Sequence, residues 1–201
     1  MRVTIISGSP RQGSNSLKTS RYVETFFERR HRHVTARVLD LATVELSGWN
    51  VASTEDSRAT WKEWRTELAA SDAYVIVVPE WDGMAPPALR SVFHLCVDGG
   101  ELAHKPAFLI GVSSGIGGSY PLMELRLSSF KNTQLCYIPE QVVVRRAAEV
   151  LNDPETPSSA EDEQLRTRLH HGLDVLLLYA GALARARTES RIEWRRFPYG
   201  M

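Results

Sequence analysis

Residues 73–78, Ala-Tyr-Val-Ile-Val-Val, are nearly all apolar. Side chains alternate sides along a strand, so such a run leaves neither face for water. That points to a central strand of a parallel sheet covered on both faces. Pro106 to Val112 (P-A-F-L-I-G-V) repeats the pattern, and Val3 to Ile6 is a shorter version. Between these runs lie segments with helical spacing. The first covers about Ser16 to His31, with Val23, Phe26 and Phe27 facing inward. Val34 to Leu41 follows as a second strand, then a polar loop from Thr43 to Ser57 that contains Trp49. Arg58 to Ser71 carries Trp61, Trp64 and Leu68 on one face, as core or interface residues. Pro86 and Pro87 open a helix that reaches about Val97, where Asp98-Gly99-Gly100 stops it. Tyr120 to Lys131, with Leu122, Leu125 and Leu127, is another helix. Cys136 to Val144 is a fifth strand, interrupted by Pro139. A long helix from Ala160 to Arg187 carries Leu165, Leu169, Leu173, Leu176, Leu177 and Leu183. Strand and helix alternate five times, which predicts a parallel α/β sheet with helices on both faces.

The 201 residues suffice for one sizeable core, and 43% of them are hydrophobic. Residues 1–187 read as one domain, and 188–201 as a basic, aromatic tail that is either disordered or packed on a neighbouring subunit. Lysine plus arginine balances aspartate plus glutamate, for a net charge of zero. No global field therefore recruits nucleic acid or an anionic membrane. The longest apolar run, Val175 to Ala184, is too short to span a bilayer. The chain enters a strand almost at once, so no signal peptide is expected. Two cysteines on apolar segments, Cys96 and Cys136, suit a reducing cytoplasm better than a disulfide scaffold. The histidines, including His31, His33 and the pair His170-His171, have no metal-ligand spacing.

Three loops carry the chemistry. Ligands on parallel sheets bind beyond the carboxyl ends of the strands, and the loops after strands one, three and four are rich in Gly, Ser and turn-forming residues. The first, Gly8-Ser9-Pro10-Arg11-Gln12-Gly13-Ser14-Asn15-Ser16, joins a strand to a helix N-terminus. Backbone N–H groups and the helix dipole favour an anion there, and Arg11 adds a guanidinium fork. A plain capped turn is the alternative. It is not a Walker loop, since no Gly-Lys-Ser/Thr follows. The second loop is Pro79-Glu80-Trp81-Asp82-Gly83-Met84, and the third is Ser113-Ser114-Gly115-Ile116-Gly117-Gly118. Glu80 reads as a loop carboxylate accepting backbone N–H bonds, or as a base. The third loop also looks like the glycine-rich turn of short-chain dehydrogenases. In that family the turn follows the first strand, and the Tyr-x-x-x-Lys pair is absent here.

Taken together the three loops resemble those of the NADPH-dependent FMN reductase family, over about Met1 to Val144. The resemblance implies a flavodoxin-like three-layer sandwich with strand order 2-1-3-4-5. It implies FMN as cofactor, with its phosphate on Ser9, Arg11, Ser14, Asn15 and Ser16. Pro79, Glu80, Trp81, Asp82 and Gly83 would lie against the ring, with Ser113, Ser114, Gly115 and Gly118 on its other side. NADPH or NADH would pass hydride to N5, and a small acceptor such as a quinone or free flavin would then take two electrons, in ping-pong order. No side chain need act as nucleophile or base; donors near N5 would be mostly backbone N–H groups of Trp81 to Met84. A homodimer or homotetramer is implied, with the helices at 86–97 and 120–131 pairing. Three positions depart from the family pattern. Trp81 stands for tyrosine, Arg90 for lysine, and Asp82 for asparagine. A carboxylate at 82 cannot donate unless protonated, so it turns away, shifts the redox poise or weakens flavin binding. Two rivals remain from other classes: a flavodoxin-like electron carrier, which would normally be acidic, and a flavin-free interaction protein on the same fold.

Overall fold

The structure, a computed structural model, describes residues 1–47, 50–51, 54–97, 100–189 and 196–197. In chain order the elements are β1 (Arg2–Ser7), α1 (Asn15–Arg30), β2 (Thr35–Asp40), β3 (Leu46–Ser47), β4 (Asn50–Val51), α2 (Glu55–Ala70), β5 (Ala73–Pro79), α3 (Pro87–Leu95), β6 (Pro106–Val112), α4 (Tyr120–Ser128), β7 (Cys136–Val144) and α5 (Ala160–Glu189). Five strands form a parallel sheet in the order β2-β1-β5-β6-β7, the predicted 2-1-3-4-5 arrangement.

The apolar runs behave as their composition requires. Every residue of β5 and β6 is buried. Alternate side chains serve two separate cores, as a period of two dictates. Val75, Val77, Phe108 and Ile110 face α1 and α5, meeting Val23, Phe27, Leu169, Leu173 and Leu176. Tyr74, Ile76, Val78 and Leu109 face the opposite layer, meeting Trp61, Trp64, Leu68, Leu89, Val92, Leu122 and Leu125. Both tryptophans are thus core residues.

Three details differ from the sequence reading. The segment 43–57 is more than a loop: it holds the short β3–β4 hairpin, and α2 begins at Glu55 because the Thr54 side chain accepts the Ser57 N–H as an N-cap. Trp49 lies outside the described residues, as do Asp98 and Gly99. Pro139 shifts the register of β7 against β6 without breaking the strand. It is tolerated because β7 is an edge strand. Leu127, one of the apolar positions read on the helix at 120–131, is 78% exposed, unlike the buried Leu122 and Leu125.

Strand register sets up the site. Ser7 lies beside Val77, Pro79 beside Val112, and Val112 beside Val144. The carboxyl ends of β1, β5, β6 and β7 therefore finish along one edge, and the loops leaving them are neighbours.

Candidate cofactor site

The first loop is pinned to the sheet at Gly8. Its N–H donates to the Val77 carbonyl at 2.8 Å, and a Cβ built there would stand only 2.6 Å from the same oxygen. No other residue allows that approach. Ser9, almost fully buried, accepts the Arg11 N–H on its hydroxyl at 3.3 Å. Ser14 caps α1, accepting the Leu17 N–H at 3.1 Å, while the Lys18 N–H closes onto the Ser14 carbonyl at 3.0 Å. Among the described residues nothing accepts the N–H groups of Asn15 and Ser16, and the first turn of α1 has no acidic residue. The Ser16 hydroxyl is buried and has no hydrogen-bond partner. A buried hydroxyl without a partner is costly. Here it sits beside open backbone donors at the positive end of a helix, the donor set that an anion such as phosphate satisfies.

The second loop is a tight hairpin. Trp81 N–H donates to the Met84 carbonyl and Met84 N–H to the Trp81 carbonyl, both at 2.9 Å, around Asp82 (φ 50°) and Gly83 (φ 82°). Two successive positive φ angles are what a two-residue type I′ turn demands, and Asp-Gly, like Asn-Gly, supplies them. This is a physical reason for a carboxylate at 82: the turn selects Asp or Asn for its backbone. The Asp82 side chain is exposed. The same turn corrects one expectation. The N–H groups of Trp81 and Met84 are spent inside the hairpin, so only those of Asp82 and Gly83 stay open. Trp81 meets the first loop, with the Arg11 guanidinium over its ring at 4.7 Å.

The third loop is tied to the second by Glu80. Its N–H donates to the Val112 carbonyl at 2.9 Å, and its carboxylate accepts the Gly118 N–H. A Cβ at Gly117 would lie 2.5 Å from the same carboxylate. Glu80 is thus the structural acceptor of the sequence reading. Behind the loop, Ser113 N–H reaches Val144 O at 2.9 Å, Arg146 N–H reaches Gly115 O at 2.8 Å, and Ala147 N–H reaches Ser113 O at 3.0 Å.

Between the loops lies a cleft of about 370 Å³ lined by Ser9, Arg11, Gln12, Gly13, Ser14, Asn15, Ser16, Pro79, Glu80, Val112 and Ser114. Eight of the residues singled out in the sequence therefore share one wall. Trp81, Asp82, Gly83, Ser113, Gly115 and Gly118 belong to the same loops but not to this lining. Gln12, Gly13 and Val112 were missed; the turn-forming character of Gly13 was the one available signal. Among the described residues no group of three or more His, Cys, Asp or Glu side chains could hold a metal ion.

Residues 1–149 match the model of the family described as NADPH-dependent FMN reductase. The chain belongs to this family. It is an oxidoreductase that uses NADPH, with FMN as its flavin. An NADPH azoreductase of Bacillus sp. (strain OY1-2) is 26% identical over 144 residues, covering 72% of this chain and 76% of that protein. An FMN-dependent NADPH-azoreductase of Staphylococcus saprophyticus is 29% identical over 175 residues, covering 84% and 90%. Among solved structures, the flavoenzyme NAD(P)H:(acceptor) oxidoreductase FerB of Paracoccus denitrificans superposes with a TM-score of 0.69 at 18% identity, covering 90% of this chain and 97% of that one. An apo NADH:FMN oxidoreductase, EMOB, gives 0.65 at 15% identity, covering 88% of each. At such identities the structural likeness shows the fold alone.

Proposed function

We infer that the three-loop cleft is the FMN site of this reductase. The observation that carries this reading is the buried, unpartnered Ser16 hydroxyl beside the open N–H groups of Asn15 and Ser16. These groups, with Ser9, Ser14 and Arg11, hold the phosphate. Pro79 to Gly83 and Ser113 to Gly118 flank the ring, and the open N–H groups of Asp82 and Gly83 face its polar edge. FMN, when bound, supplies the chemistry: it takes hydride from NADPH or NADH and gives two electrons to an acceptor. The protein's task is to hold the ring still and keep one face open. Fixed dipoles and the Glu80 tie do this without reorganisation during turnover.

The acceptor is a small planar molecule such as a quinone, a free flavin or an azo compound. The azo class comes from the names of the relatives. Nicotinamide and acceptor use the same open face in turn, which gives ping-pong kinetics. Met84 and Ile116, 53% and 75% exposed, supply apolar lips on the second and third loops.

The working unit is a homodimer. Tyr120, Met123 and Leu127 form an exposed apolar face of α4, with exposed Phe130 just past its end, beside a groove of about 820 Å³ between α3 and α4. No helix among the described residues is long and apolar enough to cross a membrane.

Anaerobic titration of the FMN-reconstituted protein with NADPH tests the reading. Bleaching of the flavin band at roughly 450 nm, where bound oxidised flavin absorbs, and parallel double-reciprocal lines with a quinone are expected. A protein that stays colourless, or lines that intersect, would contradict it.

A further inference from the structure

Lys18 stands one turn into α1, just behind the anion cradle, and no step of the chemistry uses it. Its ammonium is nevertheless fully committed. It donates to the Ala147 carbonyl, to the Val150 carbonyl at 2.8 Å and to Asn152 Oδ1 at 2.7 Å. Burial lowers its pKa from the usual lysine value, and Asp162 partly opposes that shift. The segment it grips is the one that holds the third loop. Ala147 N–H bonds Ser113 O, Arg146 N–H bonds Gly115 O, and Arg145 Nε donates to Ile116 O at 2.7 Å. Two non-glycine residues of this segment, Arg146 (φ 42°) and Leu151 (φ 57°), are held in the left-handed region. Such conformations persist only where surrounding bonds over-determine them. Leu151 N–H is fixed in turn by Asp162 Oδ1 at 3.1 Å. A continuous path of polar contacts thus runs from the first turn of α1 through Lys18 and residues 145–152 to the loop that faces the ring.

We propose that Lys18 is a positioning residue that couples the phosphate end of the cleft to its ring end. An anion seated on the start of α1 fixes that turn; Lys18 then fixes residues 147–152, and these fix Ser113 to Ile116 against the ring. This rests on the reading of the cleft as an FMN site. Coupling of this kind is a linkage free energy and is reciprocal. It is measurable by supplying the two halves of the cofactor separately, riboflavin for the ring and inorganic phosphate for the anion.

The experiment is a riboflavin fluorescence titration of the apoprotein with and without saturating phosphate. In the wild type, phosphate tightens riboflavin binding by about fivefold. In Lys18→Met, riboflavin affinity becomes independent of phosphate, phosphate affinity itself changes by less than about twofold, and Lys18→Arg restores part of the coupling. Should Lys18→Met fail to fold, Asn152→Ala decides. It removes one exposed acceptor of the ammonium and is expected to lower the coupling measurably. Wild-type coupling in either variant overturns the proposal, as does a parallel loss of phosphate affinity in Lys18→Met, which would place Lys18 in the cradle itself. Absence of binding by either ligand to the wild type would instead sink the FMN reading on which the proposal stands.

Discussion

Ser16 gives the most specific prediction at the scale of single residues. In the free protein its hydroxyl is buried without a partner, so Ser16→Ala removes an unsatisfied group. Calorimetry should find the apoprotein no less stable than wild type. FMN titration should find affinity about tenfold weaker, the value of one charge-assisted hydrogen bond. A loss of both stability and affinity would assign the hydroxyl to packing. Asp82 gives a second. Asp82→Asn keeps a residue that tolerates φ near +50° and should change stability by no more than about 0.5 kcal/mol. Asp82→Val places a β-branched residue in the left-handed region and should cost about 1–2 kcal/mol. Equal melting temperatures for the two variants would show that the turn does not select residue 82. Most of this scale was legible beforehand. Ser9, Arg11, Ser14, Asn15, Ser16, Pro79, Glu80 and Ser114 could be picked out because their three loops resemble those of the family; a polar strand-to-helix turn on its own also suits a plain helix cap. Lys18 could not, because its partners are backbone carbonyls some 130 positions away, and a carbonyl leaves no mark in a sequence.

Among elements, the loops hold one another. Glu80 accepts the Gly118 N–H, and a Cβ at Gly117 would crowd the same carboxylate. Glu80→Ala releases the third loop from the second. It should weaken FMN about tenfold, on the scale of a hydrogen bond to a charged group, with a smaller effect on inorganic phosphate, which on the proposed reading touches only the first loop. Competition titrations of FMN and phosphate would check this, and equal losses for both ligands would refute the division into two ends. The helices and the parallel strands were readable from apolar periodicity because tertiary packing reinforces it: Leu169, Leu173 and Leu176 are all fully buried. The β3–β4 hairpin was not readable, since two-residue strands carry no periodicity. Nor was the self-pairing of Trp81 and Met84, although Asp82-Gly83 signals a type I′ turn once the flanking residues are known to be extended.

For the whole molecule, two properties follow. The apolar face of α4 is expected to be covered by a second copy, so Leu127→Asp should halve the sedimenting mass while leaving the monomer folded. An unchanged mass would send the interface elsewhere. Stability should also depend on pH through Lys105. Its ammonium donates to Leu68 O at 3.0 Å, Ala69 O at 2.8 Å and the Tyr74 hydroxyl at 3.2 Å, and burial pulls its pKa down from 10.5 to about 8, with Arg187 adding to the effect. Between those values the unfolded chain binds more protons than the folded one, so the Lys105 contribution rises with pH and is smallest below about pH 8. The melting temperature of wild type relative to Lys105→Met should therefore climb from about pH 7.5 to about pH 9.5. A flat or falling difference would contradict it. Cys96 and Tyr74, whose burial raises their pKa values, are present in both proteins and largely drop out of the comparison. Pairing through the helix at 120–131 was already expected at the sequence level, whereas the pH dependence was not, because the burial of Lys105 follows from how distant elements meet.

The proposed seat of the phosphate at the start of α1 is the point on which the site depends, and calorimetric titration of the apoprotein with FMN and with riboflavin measures it directly. FMN should bind about a hundredfold more tightly than riboflavin, as expected for charge-assisted hydrogen bonds worth about 3 kcal/mol. Ser16→Asp, which puts a carboxylate where the phosphate is proposed to sit, should abolish that difference. A Ser16→Asp protein that still prefers FMN by the wild-type margin would contradict the account.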